Sequence, residues 1–298
     1  MSKAAAVTAE VASAEGTVGA LVSELSQSLR LAGVADPRRE AVEIVAALLD
    51  VPRFWPAANA ESEITSEVVS AARRAASKRV LGAPLAYAVG RASFRHLTLE
   101  VDDSVLIPRV ETELLVERVL DRCDGETRAL ADIGTGSGAI ALSLAFEREF
   151  ECVIGTDISR GALAVAERNC AALKGVLRSR VQFLHGSFLA PLEARQLDVI
   201  VSNPPYIAYA EGPALPASVR DWEPSVALLC ADTGLAATRS IVGQAPRYLR
   251  RGGILALEVD LRRAGLVAEM IAVHGSYSDV EVLLDLSGRE RFVFARRT

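Results

Sequence analysis

The chain has 298 residues, half of them hydrophobic and 24% charged, which is enough apolar material for a large buried core. Its net charge of −5 argues against broad, sequence-independent binding to nucleic acid, because such binding needs many Lys and Arg contacts to phosphate. The sequence shows neither an export signal nor the roughly 18 consecutive apolar residues of a membrane span. We therefore predict a cytoplasmic protein with no membrane contact and no direct nucleic-acid partner.

The cysteines and histidines are scattered along the chain, and no C-x-x-C pair occurs. This pattern favours reduced thiols over a disulfide framework, and the spacing predicts no metal site. The residues concerned are Cys123, Cys152, Cys170, Cys230, His96, His185 and His274.

Residues 1–85 are predicted to form a small helical domain. The first fifteen or so residues are Ala-rich, and we expect them to be disordered. Leucine and valine side chains then recur at helical spacing over 21–29. Asp36 and Pro37 have the pattern of an N-cap followed by a first-turn proline, which predicts a second helix through Leu49. A third helix is predicted over 66–80.

A short linker is predicted next, at residues 86–106. Within it, 93–94 and 97–101 have the pattern of two short strands in a β-hairpin that joins the helical domain to a larger one at 107–298. The larger domain is predicted to start with a helix over 111–120.

From residue 129 onward, predicted strands and helices alternate, which is typical of an α/β fold with a mostly parallel sheet covered by helices on both faces. Only a short turn separates the last two strands, so we expect one of them to run antiparallel. The predicted strands are 129–133, 152–156, 181–184, 197–202, 254–259, 280–284 and 291–295, and the predicted helices are 139–146, 161–173, 236–249 and 263–273.

The glycine-rich segment Gly134-Thr135-Gly136-Ser137-Gly138 lies between a predicted strand and a predicted helix. Glycines let the backbone pass close to a bound nucleoside, and the helix N-terminus offers unpaired N–H groups. Asp157 ends the next strand, about 20 residues on, where an acid accepts hydrogen bonds from ribose hydroxyls. NAD enzymes share both features, so the pair indicates a nucleoside cofactor without saying which one.

The tetrad Asn203-Pro204-Pro205-Tyr206 directly follows a predicted strand, at the sheet edge where open α/β folds bind ligands. Its prolines stiffen the turn and leave the Asn203 side-chain oxygen and the Pro204 carbonyl as two fixed acceptors. Two acceptors suit an NH2 group whose lone pair is delocalised, and Tyr206 can stack over a planar substrate. Methyl transfer from S-adenosylmethionine mainly needs such positioning.

The tetrad therefore favours a methyltransferase over a hydride-transfer enzyme. Asn203, Pro204 and Tyr206 are its predicted catalytic residues, and Pro205 joins them in the predicted substrate site.

Beyond these motifs, nearly the whole chain resembles the release factor glutamine methyltransferases, the PrmC/HemK family. Two further sets of residues carry the resemblance. The first resembles the family's linker signature and comprises 84–87, Gly90, Phe94, 106–109 and 111–113; the second resembles the segment after its tetrad and comprises 223–224, 227–228 and 234–235.

The resemblance implies a Rossmann-like, seven-stranded class I methyltransferase sheet. It also implies N5-methylation of the glutamine in the Gly-Gly-Gln motif of class 1 peptide chain release factors, with S-adenosylhomocysteine as the cofactor product. The helical domain would help to dock the release factor, and the protein is expected to be a monomer.

Particular residues acquire implied roles from the same resemblance. Gly134 to Gly138, Asp157, Phe188 and Asn203 would hold the cofactor, and the tetrad would hold the glutamine amide. Three further residues, Arg109, Glu111 and Glu113, would organise the linker and the pocket wall. Departures from the family pattern occur at Val110, Ser187, Val259 and Asp260, of which Ser187 bears on the adenine contact.

Other functions remain open at the level of the residues. An adenine-N6 DNA methyltransferase uses the same tetrad geometry on a flipped base, although this chain lacks a basic balance and a large extra domain. Another protein glutamine or a small-molecule amide would also fit the tetrad. A non-catalytic binding module that retains the fold is disfavoured by the intact glycines, Asp157 and Asn203.

Overall fold

The computed structural model describes residues 14–193 and 195–298. The expectation of disorder at the start of the chain thus falls, for residues 1–13, outside the described residues. Contacts divide the chain into two compact units, with the boundary between Val89 and Gly90. Within the described ranges, no helix is long and apolar enough to cross a membrane. The domain limits at 85 and 106 stay predictions.

The first unit is mainly helical, as predicted, and its three long helices share one apolar core. Asp36 caps the second helix by accepting a hydrogen bond from the backbone N–H of Arg39, and Pro37 lies in its first turn. Two short strands form an antiparallel pair that the sequence did not predict. The elements are β1 (Ala14–Thr17), α1 (Val18–Leu31), α2 (Pro37–Leu49), α3 (Trp55–Ala58), β2 (Glu63–Thr65), α4 (Ser66–Val80) and α5 (Leu85–Val89).

The second unit alternates strands and helices after an initial hairpin. Its elements are β3 (Arg91–Phe94), β4 (Leu97–Glu100), α6 (Val110–Arg122), β5 (Ala129–Ile133), α7 (Ala139–Glu147), β6 (Cys152–Asp157), α8 (Arg160–Leu173), β7 (Arg180–His185), β8 (Leu197–Ser202), β9 (Ile207–Ala208), α9 (Ala217–Arg220), α10 (Ser225–Leu228), β10 (Leu229–Cys230), α11 (Ala236–Gln244), β11 (Leu249–Glu258), α12 (Ala264–Val273), β12 (Tyr277–Leu284) and β13 (Glu290–Arg297).

Seven of these strands form one sheet in the order β12-β13-β11-β8-β5-β6-β7. Strand β13 is antiparallel to both of its neighbours, and the remaining pairs are parallel, which confirms the predicted α/β sheet. Successive residues of β8 alternate between two cores: Val199 and Val201 pack on one face of the sheet, and Ile200 packs on the other. Helices therefore cover both faces.

One predicted helix ends earlier than its sequence pattern indicated. The pattern predicted a helix over 236–249, but α11 ends at Gln244 and a short 3-10 turn follows at Ala245–Arg247. Pro246 lies in that turn and cannot donate the backbone hydrogen bond that a continuing helix needs. Strand β11 then begins at Leu249, five residues before the predicted start at Ile254.

The strand order creates a crevice at the carboxyl edge of the sheet. From β5 the chain moves outward through β6 and β7, then returns to β8 on the other side of β5. Loops that leave neighbouring strands in opposite directions open a ligand-binding crevice at such a switch point. The glycine loop follows β5 and the tetrad follows β8, so both predicted motifs lie there.

The hairpin of β3 and β4 packs against α8 within the second unit. The side chain of Asn169 on α8 accepts a hydrogen bond from the Glu100 N–H at 2.7 Å and donates to the Glu100 carbonyl at 3.0 Å. The same side-chain nitrogen lies 2.9 Å from the carbonyl of Ser137 in the glycine loop. One buried amide thus joins the hairpin to the loop.

Candidate active site

The glycine loop turns sharply and leaves one side open. Gly134 and Gly136 have φ angles of +75° and +56°, which are readily adopted by glycine. The backbone N–H groups of Gly134 and Thr135 both donate to the Thr156 carbonyl, at 2.8 and 2.9 Å. A Cβ atom added at Gly134 or Gly136 would meet no atom within 4 Å. The loop is therefore anchored to β6, while Gly134 and Gly136 border open space.

Asp157 lies beside the loop at the end of β6. One carboxylate oxygen accepts the Gly136 N–H at 2.9 Å, and the other accepts the Ser159 N–H at 2.8 Å. These two bonds fix the carboxylate between the glycine loop and the N-terminus of α8. Each oxygen keeps a lone pair, so the group can still accept hydrogen bonds from ribose hydroxyls.

A second acid, Asp132 of β5, accepts hydrogen bonds from the glycine loop and from the start of α7. Its Oδ2 accepts the Thr135 hydroxyl at 2.7 Å and the Ala141 N–H at 3.2 Å. The side chain is fully buried, and this burial raises its pKa to about 7. Among the described residues, Oδ1 has no hydrogen-bond partner. The Thr135 hydroxyl is thus committed to the loop's own architecture.

A cavity of about 340 Å³ opens between the glycine loop and the tetrad. We call it the larger cavity, because it is the larger of two cavities that adjoin at the tetrad. Its volume lies in the usual range of small-molecule sites. The predicted residues that line it are Gly134, Gly136, Asp157, Phe188, Asn203 and Pro205, whereas Thr135, Ser137 and Gly138 do not.

A smaller cavity of about 200 Å³ adjoins the larger one. Its lining includes Arg109 and all four residues of the tetrad. Four residues line both cavities and form a wall that the two share: Leu106, Asn203, Pro205 and Ala227. Asn203 and Pro205 therefore lie between the two cavities, whereas Pro204 and Tyr206 line only the smaller one.

The side chain of Asn203 is held by a chain of two hydrogen bonds. Its Nδ2 donates to the hydroxyl of Thr112 at 3.0 Å, and that hydroxyl donates to Oε2 of Glu258 at 2.7 Å. Over the described ranges, the Asn203 Oδ1 accepts no hydrogen bond, so it is available to a ligand. Burial is the main cause that raises the pKa of Glu258 to about 7.

Tyr206 is held as a neutral phenol in a close-packed setting. Burial raises its pKa to about 12, and the Glu258 carboxyl contributes in the same direction. A Cβ atom added at Gly234 would overlap the Tyr206 carbonyl oxygen and the Arg263 guanidinium. Glycine at 234 thus permits the close approach that seats the end of the tetrad.

The predicted linker residues have separate structural roles. Arg109 pairs with the buried carboxylate of Glu223 at 2.5 Å, and the same carboxylate accepts the Ile107 N–H at 3.2 Å. Glu113 accepts the backbone N–H of Arg95 at 3.1 Å, at the turn of the hairpin. Glu111 is exposed.

A wider cleft of about 650 Å³ lies away from these residues. It is lined by the segments that precede β5 and β6, at the amino ends of those strands, and includes Arg128 and Arg148. No predicted site residue lines it. The predicted site residues therefore line the two cavities at the switch point and not this cleft, although the cleft has the greater volume.

Comparisons with known proteins identify the family of this chain. The family model "PrmC N-terminal domain" matches residues 20–90, and the model "Methyltransferase small domain" matches residues 110–214. A release factor glutamine methyltransferase of Moorella thermoacetica is 41% identical over 94% of this chain and 99% of its own length. Another, of Nitratidesulfovibrio vulgaris, is 36% identical over 94% and 95%. The chain belongs to the release factor glutamine methyltransferase family.

A solved structure supports the fold independently of close sequence identity. The crystal structure of the hMettl16 catalytic domain in complex with MAT2A 3'UTR hairpin 1 matches with a TM-score of 0.53 at 18% identity, covering 75% of this chain and 80% of that one. This likeness concerns the fold alone. Family and fold together confirm the predicted methyltransferase architecture and enzyme class.

The structure gives site contacts to three residues for which the sequence predicted no role, two of which, Thr112 and Glu223, lie in segments that carry the family resemblance. Thr112 and Glu258 hold the tetrad asparagine, and Glu223 ties the linker to the segment after the tetrad. Thr112 lies inside the linker signature, and Glu258 ends a buried strand. A buried polar residue at a strand end is the signal that could have indicated Glu258.

Proposed function

We propose that this enzyme transfers the methyl group of S-adenosylmethionine to N5 of the glutamine in the Gly-Gly-Gln motif of class 1 peptide chain release factors. The observation that carries the proposal is the place of Asn203 and Pro205 in the wall between two adjoining cavities, with the Asn203 Oδ1 available as an acceptor. The names of the relatives favour a protein glutamine over adenine in DNA.

The residues of the larger cavity fit the proposed cofactor. Asp157 suits the ribose hydroxyls, the open side of the glycine loop at Gly134 and Gly136 admits the nucleoside, and the Phe188 ring suits a flat base. Thr135, Ser137 and Gly138 would contribute by shaping the loop. The cofactor, when bound, supplies a methyl group already activated on a sulfonium, and S-adenosylhomocysteine is the product.

In the proposed mechanism, the tetrad positions the substrate amide. Asn203 Oδ1 and the Pro204 carbonyl accept its two hydrogens, so the plane of the amide is fixed and its nitrogen faces the shared wall. The neutral ring of Tyr206 covers the planar group. The methyl group would leave its sulfur as the new C–N bond forms, so that the cofactor departs as the neutral thioether S-adenosylhomocysteine. The nitrogen would then lose its surplus proton to water, so the mechanism assigns no strong base before attack.

The partner and location belong to the same proposal. The first unit would supply a docking surface for the release factor, and the enzyme would act as a monomer in the cytoplasm. The net charge of −5 supports the expectation of no direct nucleic-acid contact. We propose no metal in the mechanism, since positioning beside an activated methyl group accounts for the reaction.

Peptide mass spectrometry of a purified, unmethylated release factor tests the reaction directly. After incubation with this protein and S-adenosylmethionine, we expect one added methyl group on the glutamine of the Gly-Gly-Gln motif. A release factor with that glutamine replaced by glutamate is the matched control and should gain none. Methylation elsewhere, or of DNA in a parallel incubation, would contradict the proposed substrate.

The Asn203→Ala variant tests the role of the tetrad. We expect kcat for the release factor to fall about 100-fold or more, because the amide loses one of its two fixed acceptors. Cofactor affinity, measured by calorimetry, should change far less, since glycine-loop contacts remain. Unchanged turnover in this variant would reject the mechanism.

A further inference from the structure

We propose that Thr112 and Glu258 are positioning residues that form a hydrogen-bond relay and set which end of the Asn203 side-chain amide faces the substrate. The proposal rests on the proposed function of Asn203 as a substrate acceptor. Three separate elements supply the relay: the first turn of α6, the loop after β8 and the end of β11.

The direction of the relay follows from the chemistry of its groups. An ionised carboxylate only accepts hydrogen bonds, so the Thr112 hydroxyl must donate its single hydrogen to Glu258 across 2.7 Å. The hydroxyl oxygen can then only accept. The Asn203 atom 3.0 Å away must therefore be the NH2 group, and the amide oxygen is directed away from Thr112. This orientation is what a substrate NH2 group requires.

Burial makes the relay selective. Thr112 and Glu258 are 5% and 1% exposed, so water does not readily replace either partner. A flipped Asn203 would place its oxygen against the Thr112 oxygen, whose only hydrogen is already used. Two acceptors would then face each other in a buried position, which disfavours the flipped form.

The charge of Glu258 controls the direction. A protonated Glu258 can itself donate, and Thr112 is then able to turn its hydrogen toward Asn203. Burial opposes the ionised form most strongly, and Glu111 adds to this effect. The hydrogen bond from Thr112 favours the ionised form, as do Arg291 and Arg109. Tyr206 also lies near this carboxyl and remains neutral. The relay has a single direction once Glu258 is ionised, and the ionised fraction increases as pH rises through its pKa of about 7. We therefore expect the methyl-transfer rate to rise with pH near 7, because more molecules then hold Asn203 in the productive orientation.

Paired variants at position 112 separate the hydroxyl from the shape of the side chain. Thr112→Val keeps the shape and removes the hydroxyl, so the amide loses its orientation. We expect the single-turnover rate to fall about 10-fold or more, with little change in cofactor affinity. Thr112→Ser keeps the hydroxyl, so its single-turnover rate should stay close to that of wild type. Equal rates in Thr112→Val and wild type would overturn the relay.

A third variant tests the carboxylate through its pH dependence. Glu258→Gln cannot titrate, so the rise of the single-turnover rate near pH 7 should disappear, although its amide can still accept from Thr112. An unchanged pH profile in Glu258→Gln would overturn the role of Glu258. This variant and Thr112→Ser keep the proposal testable where Thr112→Val fails to fold.

The Asn203→Ala variant in the same assay separates the two proposals. Full activity in Asn203→Ala would mean that the proposed function of the tetrad is wrong. Loss of activity in Asn203→Ala, together with full activity in Thr112→Val, would reject the relay and leave the tetrad's function intact.

Discussion

At the scale of single residues, Asp132 has a clear consequence for stability. Because burial raises its pKa to about 7, the folded chain holds a proton that the unfolded chain has already lost at lower pH. The free energy of unfolding therefore decreases as pH rises from the usual pKa of an aspartate toward about 7. Relative to Asp132→Asn, which cannot titrate, wild type should lose about 2 kcal/mol between pH 5 and 8.

Urea unfolding of the cofactor-free proteins at several pH values measures this difference. Glu258 also titrates near 7 but is present in both proteins, so its contribution cancels. Asp103→Asn, at an exposed position, serves as the control and should run nearly parallel to wild type. A constant difference between wild type and Asp132→Asn would contradict the prediction.

Gly234 allows steric overlap to be separated from backbone strain. Gly234 and Gly275 both have positive φ angles, of +86° and +76°, but an added Cβ meets no atom within 4 Å at Gly275. Gly275→Ala should therefore cost about 1 kcal/mol from strain alone. We expect Gly234→Ala to cost at least about 2 kcal/mol more and to lower kcat at least 10-fold, because Tyr206 must shift. Thermal unfolding and turnover assays of both variants measure these effects, and equal losses would show that Tyr206 is not held by this contact.

Among the elements, α8 connects the hairpin to the glycine loop through Asn169. Asn169→Ala leaves the Glu100 N–H and the Ser137 carbonyl without their partner. We expect a loss of about 2 kcal/mol of stability together with weaker binding of S-adenosylmethionine. Arg168→Ala is the control, because its ion pairs with Glu100 of the hairpin and with Asp102 just after it are exposed and contribute at most about 1 kcal/mol. Calorimetry that found unchanged cofactor affinity in Asn169→Ala would contradict the coupling.

The elements also show where a sequence is informative. Strands β5 and β8 match their predicted limits, because most of their residues are apolar and each strand ends directly before a loop motif, the glycine loop or the tetrad. The pairs β1–β2 and β9–β10 were not predicted. These strands have two to four residues each, and their pairing partners are distant in the chain, so no local pattern indicates them. Strands β3 and β4 are as short, but they are adjacent in the chain and have the pattern of a hairpin, which made them predictable.

In the candidate site, too, local motifs could be predicted from the sequence, whereas contacts between distant residues could not. The glycine loop and the tetrad are contiguous, so their spacing could be seen directly in the sequence. Thr112 lies 91 residues from the asparagine that it orients, and 146 residues from Glu258. No local pattern links such residues, since packing of α6 and β11 in the fold brings them together. Which residues line each of the two cavities likewise depends on the folded chain and not on a local sequence pattern.

At the scale of the whole molecule, the two compact units have separate cores. The core of the first unit draws its buried side chains from residues 18–88, and the two cores of the second draw theirs from 94–295. Both cavities and the relay lie within the second unit. A unit with its own core and its own ligand site is expected to fold without the other.

A fragment of residues 90–298 tests what the first unit contributes. We expect the fragment to bind S-adenosylmethionine with nearly the affinity of the full chain. Its kcat/KM for the intact release factor should fall at least 10-fold, mainly through KM, because the proposed docking surface is lost. A short peptide that contains Gly-Gly-Gln is the matched substrate control: it is too small to use a remote surface, so both proteins should methylate it equally. Equal kcat/KM for the intact release factor would assign recognition to the second unit, whereas unequal rates on the peptide would mean that the first unit supports the catalytic site itself.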